Sequence, residues 1–190
     1  MTAVTRRDTE RLPGDFDIWV FLLADLASFA FYFVVLLIYR IEHAELFLES
    51  QRHLDVDLAT VNTLVLLASS RSIAVAVQAS RSGRYERAVR HVVVAGGLGV
   101  VFALVKGFEW YREISHGFTF PSNEFFMFYF ALTGVHLFHV FVGLLVLAGV
   151  VHELRQPERR RAAAIESGAL YWHMVDLVWV IMFALLYLAR

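Results

Sequence analysis

Residues 18–39 read IWVFLLADLASFAFYFVVLLIY, a run of 22 residues in which Asp25 is the only charged side chain. Because an α-helix rises about 1.5 Å per residue, a run of this length crosses the hydrocarbon core of a bilayer, which is roughly 30 Å thick. The run is too long for the apolar segment of a signal peptide, and no small-residue cleavage site accompanies it. We therefore expect it to form an uncleaved transmembrane helix.

Four further apolar runs approach the length that a membrane-spanning helix needs. All three prolines of the chain lie outside the five runs, so each helix can satisfy its backbone hydrogen bonds internally. The sequence predicts an all-α integral membrane protein: a tail of residues 1–15 and a bundle of five transmembrane helices within residues 16–190. The predicted spans are approximately Ile18–Tyr39, Leu58–Gln78, His91–Ile114, Phe125–Val151 and Ala169–Leu188.

Composition supports the membrane class and excludes several kinds of site. The 190 residues are 58% hydrophobic and 18% charged, with a formal net charge of −1, so no basic field is available to attract nucleic acid. The chain contains no cysteine. This excludes disulfides, a thiolate nucleophile, cysteine-ligated zinc and iron–sulfur clusters.

The distribution of arginine predicts the orientation in the membrane. Eleven arginines lie in the tail and in the second-to-third and fourth-to-fifth loops, against four on the opposite side. Cytoplasmic loops are enriched in arginine and lysine, so we expect a cytoplasmic N-terminus. The first group is Arg6, Arg7, Arg11, Arg81, Arg84, Arg87, Arg90, Arg155, Arg159, Arg160 and Arg161; the second is Arg40, Arg52, Arg112 and Arg190.

Two shorter segments carry structural predictions. Residues 40–57 alternate charged residues with Leu and Phe, a pattern typical of a helix on the membrane surface. The glycines of GGLG, residues 96–99, lie inside an apolar run without the preceding strand of a dinucleotide site, so they indicate close helix packing.

Two ionisable residues within the runs are candidate site residues, because such side chains usually face protein or water. Asp25 would either fix helix packing or handle protons in a low-dielectric site. Arg71, flanked by Ser69, Ser70 and Ser72, would either pair with a carboxylate or a lipid phosphate, or extend toward the inner face. The serines around it suggest a polar seam against another helix.

Three pairs of polar residues are spaced three apart and so share a helix face. Lys106 and Glu109 could form an ion pair near the outer interface, where Trp110, Tyr111 and Arg112 resemble an interfacial belt. The other pairs are His136 with His139 and His173 with Asp176.

These histidines admit two interpretations. They could hold a metal ion or a haem, but the two Glu-x-x-His motifs of a di-iron bundle are not found within the five runs. Hydrogen bonds between helices explain the same residues without a cofactor. A proton or small-solute transporter that uses Asp25, Arg71 and the histidine pairs is a further alternative.

The motifs resemble, in their order along the chain, subunit III of the haem-copper oxidases. The similarity covers nearly the whole chain from Phe16 onward, and the fifth motif is highly specific for that family. The motifs are WVFLLADLASFAFYF (19–33), VNTLVLLASSRSIA (61–74), GLGVVFALVKGFEWYRE (97–113), FALTGVHLFHVFVGL (130–144) and ESGALYWHMVDLVWVIMFALLYL (166–188).

This resemblance implies a noncatalytic subunit without cofactors, in the bacterial cytoplasmic membrane. Haem and copper or iron would belong to partner subunits, and this chain would pack against catalytic subunit I, bind phospholipids and support proton uptake and durability. Asp25 falls where the family usually has a buried Glu, and Arg71 has no counterpart. The residues on the family's polar and lipid-contacting positions are Glu109, His136, His139, Glu166, His173 and Asp176.

Two departures from the family pattern affect these expectations. Larger members have seven helices, and the five runs here correspond to the last five, so the family's lipid cleft would not form in the same way. The Ala-Asp-Leu sequence around Asp25 resembles the short branch associated with nitric oxide reductase. A partner of the nitric oxide reductase type therefore stays open as an alternative.

Overall fold

A computed structural model describes residues 16–159 and 162–189 of the chain. Within these residues there are five helices long and apolar enough to cross a membrane, together with one short helix, and there is no strand. The long helices are α1 (Phe16–Glu42), α3 (Val56–Arg81), α4 (Tyr85–Ser115), α5 (Glu124–Arg155) and α6 (Ala162–Phe183); the short helix is α2 (Ala44–Gln51). The all-α prediction and the predicted number of five membrane-spanning helices are confirmed.

Several of the residues used to predict the orientation lie outside the described part of the chain. These are Arg6, Arg7, Arg11, Arg160, Arg161 and Arg190, together with Pro13. The other two prolines interrupt no spanning helix: Pro121 lies between α4 and α5, and Pro157 begins a short 3₁₀ turn after α5.

Side-chain caps and a glycine turn set the helix boundaries. Asp55 accepts a hydrogen bond from the backbone N–H of Leu58 at 2.9 Å, and Asn123 accepts one from Phe126 at 2.9 Å, so α3 and α5 both begin at a polar cap. Gly83 has a φ of 71°, a conformation that glycine adopts readily. It allows the chain to reverse between α3 and α4 within three residues.

Four of the spanning helices form a closed ring in the order α3, α4, α5, α6, with α6 returning to α3. Trp172 of α6 lies at the centre of this ring and is fully buried. A Cβ atom on Gly99 of α4 would lie 2.6 Å from the Trp172 ring, and one on Gly143 of α5 would lie 2.8 Å from it. The predicted role in close helix packing is confirmed for Gly99, because the indole occupies the space that its missing side chain leaves, and is wrong for Gly97, whose Cβ would meet no atom within 4 Å.

Helix α1 packs on the outside of the ring, against α5 and α6. After Phe183 the last helix continues as a π-helical turn, Ala184–Leu188, and the end of this helix leaves carbonyl groups free for other donors. Arg40 of α1 donates to the carbonyls of Leu185, at 3.2 Å, and Ala189, and Gln51 of α2 donates to that of Leu186 at 3.1 Å. These bonds attach the end of the bundle to α1 and α2.

The helix predicted within residues 40–57 is present as α2, and its place on the membrane surface stays a prediction. Phe47 is buried against Phe125 of α5, with ring centroids 5.5 Å apart, while Glu45, Leu48 and Glu49 are exposed. The helix therefore lies across one end of the bundle with its apolar side turned to the core.

Candidate functional site

Two deeply buried charges, Lys106 and Glu109, lie in a closed hydrogen-bond network, and Lys106 is the single lysine of the chain. Its ammonium donates to Glu109 Oε2 at 3.1 Å, to the Tyr129 hydroxyl at 3.1 Å and to the Tyr187 hydroxyl at 2.5 Å. Both tyrosine hydroxyls in turn donate to Glu109 Oε1. Three donors of the ammonium and both carboxylate oxygens are thus used, so the pair carries no net charge and no unsatisfied group.

The predicted ion pair between Lys106 and Glu109 is confirmed, and its place near the outer interface stays a prediction. Both side chains are enclosed in the protein core, with exposed fractions of 0% and 1%. The Lys106 ammonium also lies 5.2 Å from the ring centroid of Trp179. Aromatic residues of α5 and α6 exclude lipid and water from the pair, which is a tertiary effect that spacing along α4 does not show.

The neighbouring residues that the sequence suggests as an interfacial belt have separate roles. Tyr111 is 71% exposed and fits that prediction. Trp110 donates instead to the Thr133 hydroxyl at 3.1 Å, and Arg112 donates to Asp55 Oδ2 at 2.9 Å.

Asp25 and His139 join the peripheral helix α1 to α5. Asp25 Oδ1 lies 3.2 Å from His139 Nε2, and the two side chains are 16% and 14% exposed. His139 Nδ1 lies 2.7 Å from the carbonyl of Val135 on its own helix. The histidine is therefore held between its own backbone and a carboxylate, and the predicted contact of Asp25 with another helix is present.

His136 shares the helix with His139 but not its surroundings. It is fully buried, its ring packs between Phe102 and Trp179, and neither ring nitrogen has a hydrogen-bond partner among the described residues. The structure thus directs the two histidines to different partners rather than to a common ligand. His136 contacts α4 and α6, whereas His139 contacts α1.

The serines around Arg71 form the predicted polar seam, and they connect α3 with α4 and α6. Ser69 donates to the carbonyl of Ala95 at 2.8 Å and accepts from the Trp172 indole at 3.0 Å. Ser70 lies 2.7 Å from His173 Nδ1. Asp176, which is 4% exposed, has a carboxylate oxygen 3.9 Å from the same nitrogen.

Arg71 itself is not part of this seam. Its side chain is exposed on the outer face of α3 and forms no hydrogen bond or ion pair with any described residue. Glu166, in contrast, accepts two hydrogen bonds from the Arg81 guanidinium, at 2.8 and 2.9 Å. This second pair lies where α3 ends and α6 begins, at one end of the bundle.

A cluster of charges closes the opposite end of the bundle. The N–H of Leu58 and the Arg112 guanidinium both bind Asp55 and lower the pKa of its carboxyl below the ordinary value of 3.8. Glu113 is fully buried beside them, and neither of its carboxylate oxygens has a hydrogen-bond partner among the described residues. Its nearest cation is Arg112, at 3.9 Å.

The titratable side chains are thus distributed in pairs over the bundle rather than gathered at one centre. Within residues 16–159 and 162–189, no group of three or more His, Asp or Glu side chains is arranged to hold a metal ion. The arrangement fixes helices to one another: α1 to α5, α4 to α5 and α6, and α3 to α6.

The comparison with known proteins agrees with this architecture. The family model for cytochrome c oxidase subunit III matches residues 21–189. The chain belongs to this family. Cytochrome c oxidase subunit 3 of Synechocystis sp. is 32% identical to this chain, over 91% of this chain and 74% of the relative's length. Cytochrome c oxidase subunit 3 of Thermostichus vulcanus is 29% identical, over 89% of this chain and 84% of the relative's length. Cytochrome bo(3) ubiquinol oxidase subunit 3 of Buchnera aphidicola is 26% identical, over 95% of this chain and 87% of the relative's length.

Membership of the subunit III family accounts for the spans but does not identify every residue of the polar network. Sequence reasoning does not find Tyr129 and Tyr187, because they lie on different helices and only tertiary packing brings them to Lys106. A lysine inside an apolar run does signal that acceptors must exist nearby. Asp55 is missed for the same reason, since its partner Arg112 lies 57 residues further along the chain.

Proposed function

We propose that this chain is a noncatalytic accessory subunit of a haem-copper respiratory oxidase in the cytoplasmic membrane of a bacterium, with its N-terminus in the cytoplasm. It packs against catalytic subunit I, supports assembly and durability of that subunit, and contributes to proton uptake and phospholipid binding. Electron transfer and oxygen chemistry take place at haem and copper or iron in the partner subunits.

The observation that carries the proposal is the match of the subunit III model to residues 21–189, on a bundle whose intramembrane charges join helices to one another. The relatives described above are subunits of cytochrome c and ubiquinol oxidases. This supports oxygen, rather than nitric oxide, as the electron acceptor of the complex.

Co-purification tests the accessory role directly. A tagged chain purified in mild detergent from its native membrane is expected to bring down a haem-containing partner, whereas the chain expressed alone is expected to show no Soret absorption band. A stoichiometric haem in the isolated chain would overturn the proposal. Proton flux through liposomes that contain only this chain, abolished by Asp25→Asn, would instead support an independent transporter.

The pair Asp25 and His139 offers a sharper test of the durability role. Asp25→Ala or His139→Ala is expected to shorten the working lifetime of the complex and weaken its assembly more than it lowers the initial turnover rate, because the pair attaches α1 to the bundle. Leu23→Ala on the same helix, at a side chain that is 63% exposed, serves as the matched control. Equal loss of initial rate with intact assembly and lifetime would contradict this role.

A further inference from the structure

The exposed guanidinium of Arg71 lies near the middle of the membrane rather than near either surface. The rise of about 1.5 Å per residue places its Cα about 22 Å along α3 from Val56 and about 15 Å from Arg81. The helix is flanked by Asp55 and Asp57 at one end and by Arg81 at the other, so its charged ends mark the two membrane surfaces. Arg71 is thus close to the centre of the hydrocarbon core.

At this depth a lipid phosphate is a poor partner for the guanidinium. The nearer membrane surface lies toward the C-terminal end of α3, but Cα–Cβ bonds of a helix tilt toward its N-terminus. The side chain of Arg71 therefore starts in the direction of the more distant surface. Extension toward lipid headgroups, which is common for arginines close to helix ends, is disfavoured here.

A charged side chain within a membrane span is expected to face protein or water and to have a partner. Within the described residues of this chain, Arg71 faces no protein environment and has no partner, since its side chain is exposed and unpaired. An arginine binds a carboxylate through two parallel hydrogen bonds and stays charged under all physiological conditions. The missing partner is accordingly an acidic side chain on another transmembrane helix.

The surface around Arg71 is suited to such a helix. Ala68 and Ala74, one turn to either side, are exposed and small, so a neighbouring backbone can approach α3 closely. Ala74 and Gln78 also line an open groove of about 250 Å³ between α3 and α6, together with His173. The His173 side chain is 40% exposed there, which adds a second polar group to the same membrane-facing surface.

We infer that the face of α3 formed by Ala68, Arg71, Ala74 and Gln78 is the membrane contact for a transmembrane helix of the catalytic subunit, which offers an Asp or Glu carboxylate to Arg71. The inference rests on the proposed function, because the partner is the subunit that the accessory role requires. Beyond the accessory role, the inference specifies which face of α3 makes the contact, how deep in the membrane the contact lies and which charge the partner residue carries.

Single-cysteine crosslinking tests this face, and the chain is suited to it because it has no cysteine of its own. Ala74→Cys, labelled in native membranes with a thiol-linked benzophenone, is expected to form at least tenfold more adduct with the catalytic subunit than Leu104→Cys. Leu104 lies on α4 and is 68% exposed, so it reports on a different membrane face. Adducts of Ala74→Cys with lipid alone, or preferential adducts of Leu104→Cys, would overturn the inference.

Substitution of Arg71 tests the charge. Arg71→Leu is expected to lower recovery of the catalytic subunit in detergent about tenfold, while Arg71→Lys retains part of it. The isolated Arg71→Leu chain should unfold at the same temperature as the wild-type chain or above it, which separates loss of a contact from loss of the fold. Unchanged recovery with Arg71→Leu would contradict the inference. If the wild-type chain recovers no partner, the proposed function itself fails.

Discussion

Lys106 is a residue at which burial opposes charge. Its ammonium is fully enclosed and depends on Glu109, Tyr129 and Tyr187 for all its hydrogen bonds. Removal of one member of a buried ion pair typically costs about 3–5 kcal/mol, because the other charge stays behind without compensation. Lys106→Met is therefore expected to lower the free energy of unfolding by about that amount, as measured by thermal or denaturant unfolding of the purified chain.

The double variant Lys106→Met with Glu109→Gln is the control for this prediction. A glutamine can still accept hydrogen bonds from the two tyrosine hydroxyls, and no unpaired charge is left in the core. Most of the stability lost in the single variant should then return. Additive losses in the double variant would show that the network is not coupled in the way its geometry implies.

Asp55 provides a prediction about pH. Its pKa is lower in the folded chain than its ordinary value of 3.8, so its charged form stabilises the fold above that value. This contribution is lost as the pH falls below about 4, through the lowered pKa of the folded state. Asp55→Asn keeps a good helix cap but removes the charge, and should cost up to about 1 kcal/mol at pH 7.

The unfolding temperatures of the wild-type chain and Asp55→Asn should accordingly converge as the pH is lowered from about 5 to about 3. Asp57→Asn, an exposed carboxylate in the same helical turn, is the control and should show a smaller difference at any pH. A difference for Asp55→Asn that is as large at pH 3 as at pH 7 would contradict the assigned role of the charge.

At the scale of helices, the contact of Trp172 with Gly99 and Gly143 determines how closely α6 approaches α4 and α5. Gly99→Ala would place a methyl group 2.6 Å from the indole, so a helix or the ring must move. Overpacking of this kind typically costs about 1–3 kcal/mol. We expect Gly99→Ala to lower the unfolding temperature of the purified chain.

Gly97→Ala is the matched control, because it lies two residues away on the same helix and its Cβ would meet no atom within 4 Å. Alanine has a higher helix propensity than glycine by about 1 kcal/mol, so this variant should be as stable as the wild-type chain or more stable. Equal destabilisation by both substitutions would mean that close approach to Trp172 is not the cause.

The positions of the helices are the part of the structure that the sequence predicts best. Length and apolar composition identify the five spans because the bilayer imposes both on any helix that crosses it. The same reasoning cannot give the partners of a side chain inside a span. The spacing of Lys106 and Glu109 predicts their ion pair, but their burial depends on where α5 and α6 place Tyr129 and Tyr187.

For the whole molecule, the orientation in the membrane stays a prediction from the arginine distribution, and it can be measured. The α3–α4 turn should face the cytoplasm and the α4–α5 loop the opposite side. Ser82→Cys and Ser122→Cys, both at exposed positions, should therefore react with a membrane-impermeant maleimide from opposite sides of the membrane. In intact cells only Ser122→Cys should be labelled, and the reverse pattern would invert the proposed topology.

The candidate site shows the same division between what sequence predicts and what tertiary structure adds. Four polar residues in or beside apolar runs are predicted site residues that have a partner on another helix in the structure: Asp25, His139, His173 and Glu166. Arg71 is a predicted site residue because it too is a polar residue in an apolar run, but it has no partner within the described residues. A single sequence cannot distinguish these two outcomes, because both look like a charge in an apolar run.

The tight turn at Gly83 has a consequence for biosynthesis. Of the five spanning helices, α3 has the least apolar 18-residue stretch, and it carries Arg71 near its middle, which makes its release into lipid as a separate segment unfavourable. The turn places α4 directly behind α3 in the nascent chain, and α4 supplies the backbone carbonyls to which Asn62 and Ser69 donate. The two helices are thus suited to leave the translocon together, as a helical hairpin in which Asn62 and Ser69 are paired before lipid surrounds them.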